Sequence, residues 1–268
     1  MENQSNYKNL SIGEYKKFVA FLEDLHITHN EERISKAFIK EIQLLEEFSF
    51  LNQNKCFLVF DHIKFLPIYI SDNVTSIIGY TPQELYNMTL LEVLQRLYWK
   101  QIPSLFKIHA RGKAFRKLSK GASVKNQEVL FCGTKLKDKW GNLKTLLAKQ
   151  KFLATDKIGE PTISFIVAED ITPIYKSNSS WIQIADFTKD IPLIRIYSDT
   201  ANSSSHLLSN RELGILRLVL QKMDSSCIAS HLNISVETVK KHRKNMLAKV
   251  GAKDMTGLIY ICQQANVI

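Results

Sequence analysis

Hydrophobic positions along the chain change their period three times. From Ser11 to about Leu51, Tyr15, Phe18, Val19, Phe21 and Leu22, and then Ile34, Phe38, Ile42, Leu45 and Phe48, recur at three- and four-residue spacings. This predicts two amphipathic helices broken near His29-Asn30. Between Lys55 and Ile174 the pattern shortens into runs of strand type, Cys56 to Phe60, Pro67 to Ile70, Glu128 to Lys135, Leu143 to Leu153 and Thr162 to Ala168, with helical segments between the second and third. An antiparallel sheet with inserted helices follows. Trp140-Gly141-Asn142 and Lys157-Ile158-Gly159-Glu160 are the turn signals between its last three strands. From Lys176 to His206 the chain becomes rich in Ser and Asn and reads as a linker, although the run Ile191 to Tyr197 is apolar enough for an extra strand packed on either neighbour.

Beyond His206 the helical period returns. Ser209-Asn210-Arg211-Glu212 has the spacing of a capping box, in which the serine hydroxyl accepts from the amide of residue 212 and Glu212 reaches back. Leu213, Leu216, Val219 and Leu220 supply a buried stripe for the helix that follows. A second helix spans roughly Ser225 to Leu232, with Ile228, Ala229 and Leu232 apolar, and stops at Asn233, a residue that tolerates a tight turn. Ser235 caps a third, Val236 to Val250, with Val236, Val239, Met246 and Val250 on one side and Lys240, Lys241 and Lys244 on the other. Arg243 lies slightly around the cylinder and Thr238 near its start. Two short helices joined by a tight turn, the second basic on its outer face, suit a major groove, where lysines neutralise phosphates or donate to guanine edges.

The periods divide the chain into an N-terminal helical segment (1–51), a sheet-and-helix domain (52–176), a linker (177–204) and a helical domain (205–268). Composition changes this picture little: 45% hydrophobic and 23% charged residues belong to a folded chain with a real core. Charge sharpens it. The net +10 is carried by residues 51–176, with 19 basic against 10 acidic side chains, and by 207–268, with 9 against 4. The first block is spread over several elements and reads as a solvated face; the second is concentrated on one helix. The opening residues lack the apolar core of a signal peptide and no stretch approaches a membrane span, so a cytoplasmic protein without a membrane partner is expected. Cys56, Cys132, Cys227 and Cys262 are far apart with no Cys-x-x-Cys pair, which fits reduced thiols and no metal site.

The C-terminal residues carry a resemblance. Leu208-Ser209-Asn210-Arg211-Glu212, Ile228-Ala229, Leu232-x-Ile234-Ser235, Thr238-Val239-Lys240-Lys241-His242 with Asn245, and Lys249-Val250-Gly251-Ala252 resemble the LuxR/GerE-type helix-turn-helix domain in continuous register over about 205–268. The resemblance implies a four-helix domain whose third helix reads double-stranded DNA and whose fourth, about Thr256 to Gln264, often dimerises. It places Lys240, Lys241 and Lys244 on the base-reading face, beside Arg243, with Thr238, His242 and Asn245 holding or flanking backbone contacts. Lys222 departs from the family's usual Gly, Cys227 from its frequent Glu and Met255 from its frequent Arg, all off the reading face.

The middle block resembles a PAS domain through Tyr69-Ile70-Ser71-Asp72-Asn73-Val74, Ile77-Ile78-Gly79-Tyr80-Thr81-Pro82-Gln83-Glu84-Leu85, Gly159-x-Pro161 and Glu169-Asp170-Ile171-Thr172. That resemblance implies a sensor fold that dimerises or holds a small-molecule ligand under its sheet, of unknown identity. No cysteine stands in a flavin-binding context, and His109, a lone histidine in a helical segment, does not announce haem. His26-x-x-His29 reads as a helix end, and Phe57, Phe60, Phe65, Tyr69 and Phe131 as core. The chain has no Gly-rich phosphate loop, Gly-x-Ser-x-Gly elbow, metal cluster, kinase-like segment or receiver-type acidic cluster, which disfavours an enzyme. The combined expectation is a homodimeric, sequence-specific transcription regulator of one-component type. The alternative is an interaction module whose basic surface meets an acidic protein.

Overall fold

The computed structural model describes residues 53–103, 107, 110, 127–188, 193–198 and 206–268. The helices expected over 11–51, with His26 and His29, and also His109, lie outside them. Two strands, β1 (Lys55–Asp61) and β2 (Leu66–Ile70), lead into three short helices, α1 (Val74–Ile78), α2 (Pro82–Tyr86) and α3 (Leu90–Arg96), and a 3-10 turn at Trp99–Gln101. Thr81 and Thr89 each close a capping box with the glutamate three residues on, which explains why such short helices hold. Long strands β3 (Gln127–Lys137), β4 (Leu143–Thr155) and β5 (Pro161–Asp170) follow. Their hairpins are fixed by aspartates: Asp138 accepts from the amides of Trp140 and Asn142, and Asp156 from those of Ile158 and Glu160.

The Ser/Asn-rich segment is more than a linker: a strand falls on the run Ile191 to Tyr197 read as a candidate extra strand, and a second, unexpected one precedes it. It contains β6 (Trp181–Asp186) and β7 (Leu193–Ser198), which extend one antiparallel sheet to seven strands in the order β2-β1-β5-β4-β3-β6-β7. All six residues of β6 are buried. A strand covered on both faces shows no polar alternation, so its signal is lost between polar flanks. Of the aromatics expected in the core, Phe57 is buried and stacks on Phe165, whereas Phe60, Phe65, Tyr69 and Phe131 are half-buried.

The two faces of the sheet do different work. One face packs Cys56 and Ala168 with Ile70, Val74 and Ile77 of β2 and α1. The opposite face carries Leu130, Cys132, Leu147, Trp181 and Ile196, and these share one continuous core with Ile215, Leu216, Met246, Val250, Leu258 and Ile261 of the C-terminal helices. At the join, β3 bulges at Gly133, whose positive φ of 87° and missing Cβ leave room for the Tyr175 ring.

Candidate nucleic-acid interface

Four helices follow His206: α4 (Asn210–Leu220), α5 (Ser225–Leu232), α6 (Val236–Val250) and α7 (Met255–Gln264). Each begins on a side chain that accepts from the backbone: Ser209 from Glu212, Asp224 from Cys227, Ser235 from Thr238 and Asp254 from Gly257. The Ser209 box is reciprocal, and Glu212 also receives Lys249 Nζ at 2.7 Å from the end of α6. Burial works to raise the Glu212 carboxyl, but Lys249 and Ser209 outweigh it and hold it below the usual glutamate range. The stripe on α4 is turned from its sequence reading: Glu212, Ile215, Leu216 and Leu218 are buried, while Leu220 is 42% exposed. A core that grips α4 from two sides selects Ile215 and Leu218, which one stripe at a single period does not include.

The turn between α5 and α6 is set by Asn233, which takes a left-handed conformation at φ 50°, while Ile234 N donates to Ala229 O. The chain then re-enters helix at Ser235, whose hydroxyl lies 2.8 Å from that of Thr238. Val239, Met246 and Val250 are fully buried on the inner side of α6. Its outer side presents Lys240, Lys241, Lys244 and Asn245 to solvent, with Thr238 and His242 half-buried beside them. Lys240 is engaged by Glu237 at 2.7 Å in an exposed pair, a contact of small worth that a phosphate can displace. Lys241 and Lys244 carry no ion pair among the described residues.

Arg243 is set apart from the lysines. Its Nη1 donates to Ser225 Oγ at 2.9 Å, tying α6 to the start of α5, and its Nε is buried. The seven residues singled out in the sequence thus fall on one helix, but the arginine braces the turn while the three lysines face outward. Lys222 adopts φ 64°, so the left-handed turn ending α4 is made here by a lysine in the position where a glycine is expected.

Helices α6 and α7 are tied to the sheet by side chains, Trp181, Gln183 and Tyr260, that sequence reasoning did not single out. Trp181 Nε1 donates to Val250 O at 3.0 Å and Gln183 Nε2 to Ala265 O at 2.9 Å. Tyr260 donates its hydroxyl proton to Glu169, and burial and this carboxylate push the phenol well above its ordinary range. Residues 174–176 and 251–253 form an antiparallel bridge, with Lys176 N donating to Gly251 O and Lys253 N to Ile174 O, both at 2.8 Å. Tyr175 wedges between Gly133 and Gly251 and donates to Ser179 O. Apart from Tyr175 and Ser179, these partners lie tens of residues apart, and no local pattern marks them.

No helix among the described residues is long and apolar enough to cross a membrane, and no group of three His, Cys, Asp or Glu among them is placed to hold a metal ion. The profile of the family described as bacterial regulatory proteins, luxR family, matches residues 206–262. The oxygen regulatory protein NreC of Staphylococcus aureus (strain MRSA252) is 40% identical over 63 residues, 23% of this chain and 29% of that protein. The virulence factors putative positive transcription regulator BvgA of Bordetella pertussis is 36% identical over 72 residues, 26% of this chain and 34% of that protein. The chain therefore spans about a third of the length of these relatives. A phage VqmA–DPO complex aligns over 85% of this chain and 88% of that one at 16% identity, with a TM-score of 0.30, too low to fix either fold or arrangement. Within residues 206–262, the profile, the relatives and the four capped helices agree: this part of the chain is a helix-turn-helix domain of the luxR family.

Proposed function

We propose that the chain is a sequence-specific DNA-binding transcription regulator of one-component type, in which α6 enters the major groove of double-stranded DNA. The observation that carries this reading is the outer face of α6, where Lys240, Lys241 and Lys244 are exposed while Val239, Met246 and Val250 anchor the helix from behind. Lys240, Lys241 and Lys244 read base edges or phosphates, and Thr238, His242 and Asn245 flank them toward the backbone. Arg243 supports the face by fixing α5 against α6. The family match and the regulators among the relatives support the same reading.

The sheet-and-helix domain is the sensing or dimerising part of this regulator. Its antiparallel sheet with helices inserted between β2 and β3 supports a PAS-like assignment, with a small-molecule ligand or a second copy of the chain as its partner. A homodimer accounts for reading two half-sites one helical turn apart, in the cytoplasm and without enzymatic activity. Electrophoretic shift against a promoter library tests the core of the proposal. Replacing Lys240, Lys241 and Lys244 together by Ala lowers affinity by about 100-fold or more, since each good base or phosphate contact is worth a kcal/mol or more. Undiminished binding by the triple variant overturns it.

A further inference from the structure

The seam between the sheet and the C-terminal helices holds α6 by its last residue, through Trp181 and Val250 O. The opposite end of the helix is open to solvent and carries a residue that works against DNA binding. Glu237 is the one acidic side chain of α6, whose other charged side chains are Lys240, Lys241, Arg243, Lys244 and Lys249. At about 100° per residue, it projects between Lys240, about 60° to one side, and Lys241, about 40° to the other, with Lys244 about 20° away. Val239, Met246 and Val250 lie on the opposite side and are fully buried. Glu237 therefore stands in the middle of the lysine face and in the first turn of α6, the part of a recognition helix that meets base edges.

A carboxylate there repels phosphate and weakens binding to DNA of any sequence. The helix dipole does not account for the position: it favours an acid anywhere in the first turn, and 236 or 238 would serve it without placing the charge among the lysines. What the position provides is a matched pair of groups. Glu237 Oε1 and Lys240 Nζ lie 2.7 Å apart, with 79% and 60% of their side chains exposed. In the major groove a C·G base pair presents the cytosine N4 donor beside the guanine O6 acceptor, about 2.9 Å apart because the two are hydrogen-bonded to each other. A carboxylate beside an ammonium is the complement of that edge at nearly the same spacing. Neither partner has to release the other, since an ammonium has three protons and a carboxylate about four acceptor sites. An A·T pair also offers a donor next to an acceptor, but adenine N7 beside its donor repels the carboxylate, and thymine gives the ammonium one acceptor where guanine gives two.

We propose that Glu237 and Lys240 act together as a specificity-determining pair that reads one C·G base pair, Glu237 accepting from cytosine N4 and Lys240 donating to guanine O6 and N7. The inference rests on the DNA-binding reading of α6 and names a base pair that it reads. The carboxylate lowers affinity for DNA in general and raises discrimination at one position.

The test is selection by the full chain from a library of 30-base-pair duplexes randomised at their centre, followed by fluorescence anisotropy on the selected site and on its single-base-pair variants. The unaltered chain is expected to prefer C·G at one position by about tenfold or more over the other pairs. E237A and K240A each reduce that preference to less than about threefold, and E237A leaves the preferences at other positions in place. E237Q moves the preference toward A·T, because an amide pairs with adenine N6 and N7. Losing the negative charge also raises affinity, but equally for every duplex, so this gain cancels in the ratios. Circular dichroism melting confirms the fold of each variant. A C·G preference that E237A leaves unchanged, or a selected site with no position that prefers C·G, overturns the proposal. The K240A/K241A/K244A chain separates the two readings. If it binds as tightly as the unaltered chain, both fail; if it loses binding while E237A keeps every base preference, the Glu237 assignment alone fails.

Discussion

The two ends of α6 are built to opposite specifications. Its first half carries Lys240 and Lys241, and its middle Lys244, in solvent, and among the described residues only Lys240 has an ion-pair partner, the exposed Glu237. Its last turn is anchored, with Val250 fully buried, its carbonyl taken by Trp181 and Gly251 pressed under the Tyr175 ring, while Ala248 and Lys249 stay exposed. Binding chemistry and fold stability are thereby separated along one 15-residue helix. Substitutions at the first end are expected to change affinity for DNA and leave melting almost untouched, whereas those at the second do the reverse.

The strongest way to break that comparison is at Gly251. A Cβ there lies 2.5 Å from Tyr175 Cζ, on a backbone at φ 86°. Tyr175 is buried and held by Ser179 O, so it has little freedom to move away. Gly251→Ala is expected to destabilise the chain by about 3 kcal/mol, combining the left-handed penalty with the clash. In a Tyr175→Ala background the same change costs only about 1 kcal/mol, the backbone share alone. Chemical denaturation of the four chains in the cycle measures both figures. Equal costs in the two backgrounds mean that the ring does not lock this end of α6.

A smaller effect is expected at Trp181→Phe, which keeps most of the apolar surface but leaves Val250 O without its donor inside the core. The loss is about 1–2 kcal/mol by denaturation, with affinity per folded molecule unchanged. A fall in affinity without a fall in stability would show that the seam sets the pose of the reading helix instead of its stability.

The contrast between the ends also accounts for what was legible in the sequence. Ser209, Asn233 and Ser235 act on neighbours within four residues, so caps and turn stand out from spacing alone, and the lysine face follows from the helical period. The seam is made of pairs such as Trp181 with Val250 and Gln183 with Ala265, 69 and 82 residues apart, and no window along the chain contains both partners. The same reason hid β6, whose sequence WIQIAD is buried throughout and does not alternate. Arg243 was read with the lysines because helical spacing gives an angle around the cylinder but not the neighbour that waits there, here Ser225.

Lys222 offers a test in the stabilising direction. It holds φ 64° at the end of α4, where a side chain with a Cβ is strained and the amide still donates to Val219 O. Lys222→Gly is expected to raise stability by up to about 1 kcal/mol, the relief of the left-handed conformation less the added freedom of the unfolded chain. A thermal melt of the variant decides it, and a lowered midpoint would mean that the lysine stem packs there strongly enough to outweigh the strain.

The smallest and most discriminating effect is expected at Glu237. Its carboxylate pairs with Lys240 at 2.7 Å, both side chains well exposed, so the pair itself is worth at most about 1 kcal/mol. Its place in the first turn of α6 adds a few tenths through the helix dipole. Glu237→Gln is therefore expected to lower stability by about 0.5 kcal/mol or less. On DNA the sign reverses, because the carboxylate competes with phosphate for Lys240 and adds a negative charge to the reading face. Affinity is expected to rise several-fold at 50 mM salt and the gain to shrink toward 300 mM as the charges are screened. An affinity gain with a near-constant melting point keeps the two ends of α6 separate in kind. If instead both quantities fall together, the first half of the helix also carries the fold, and the division between its ends is one of degree.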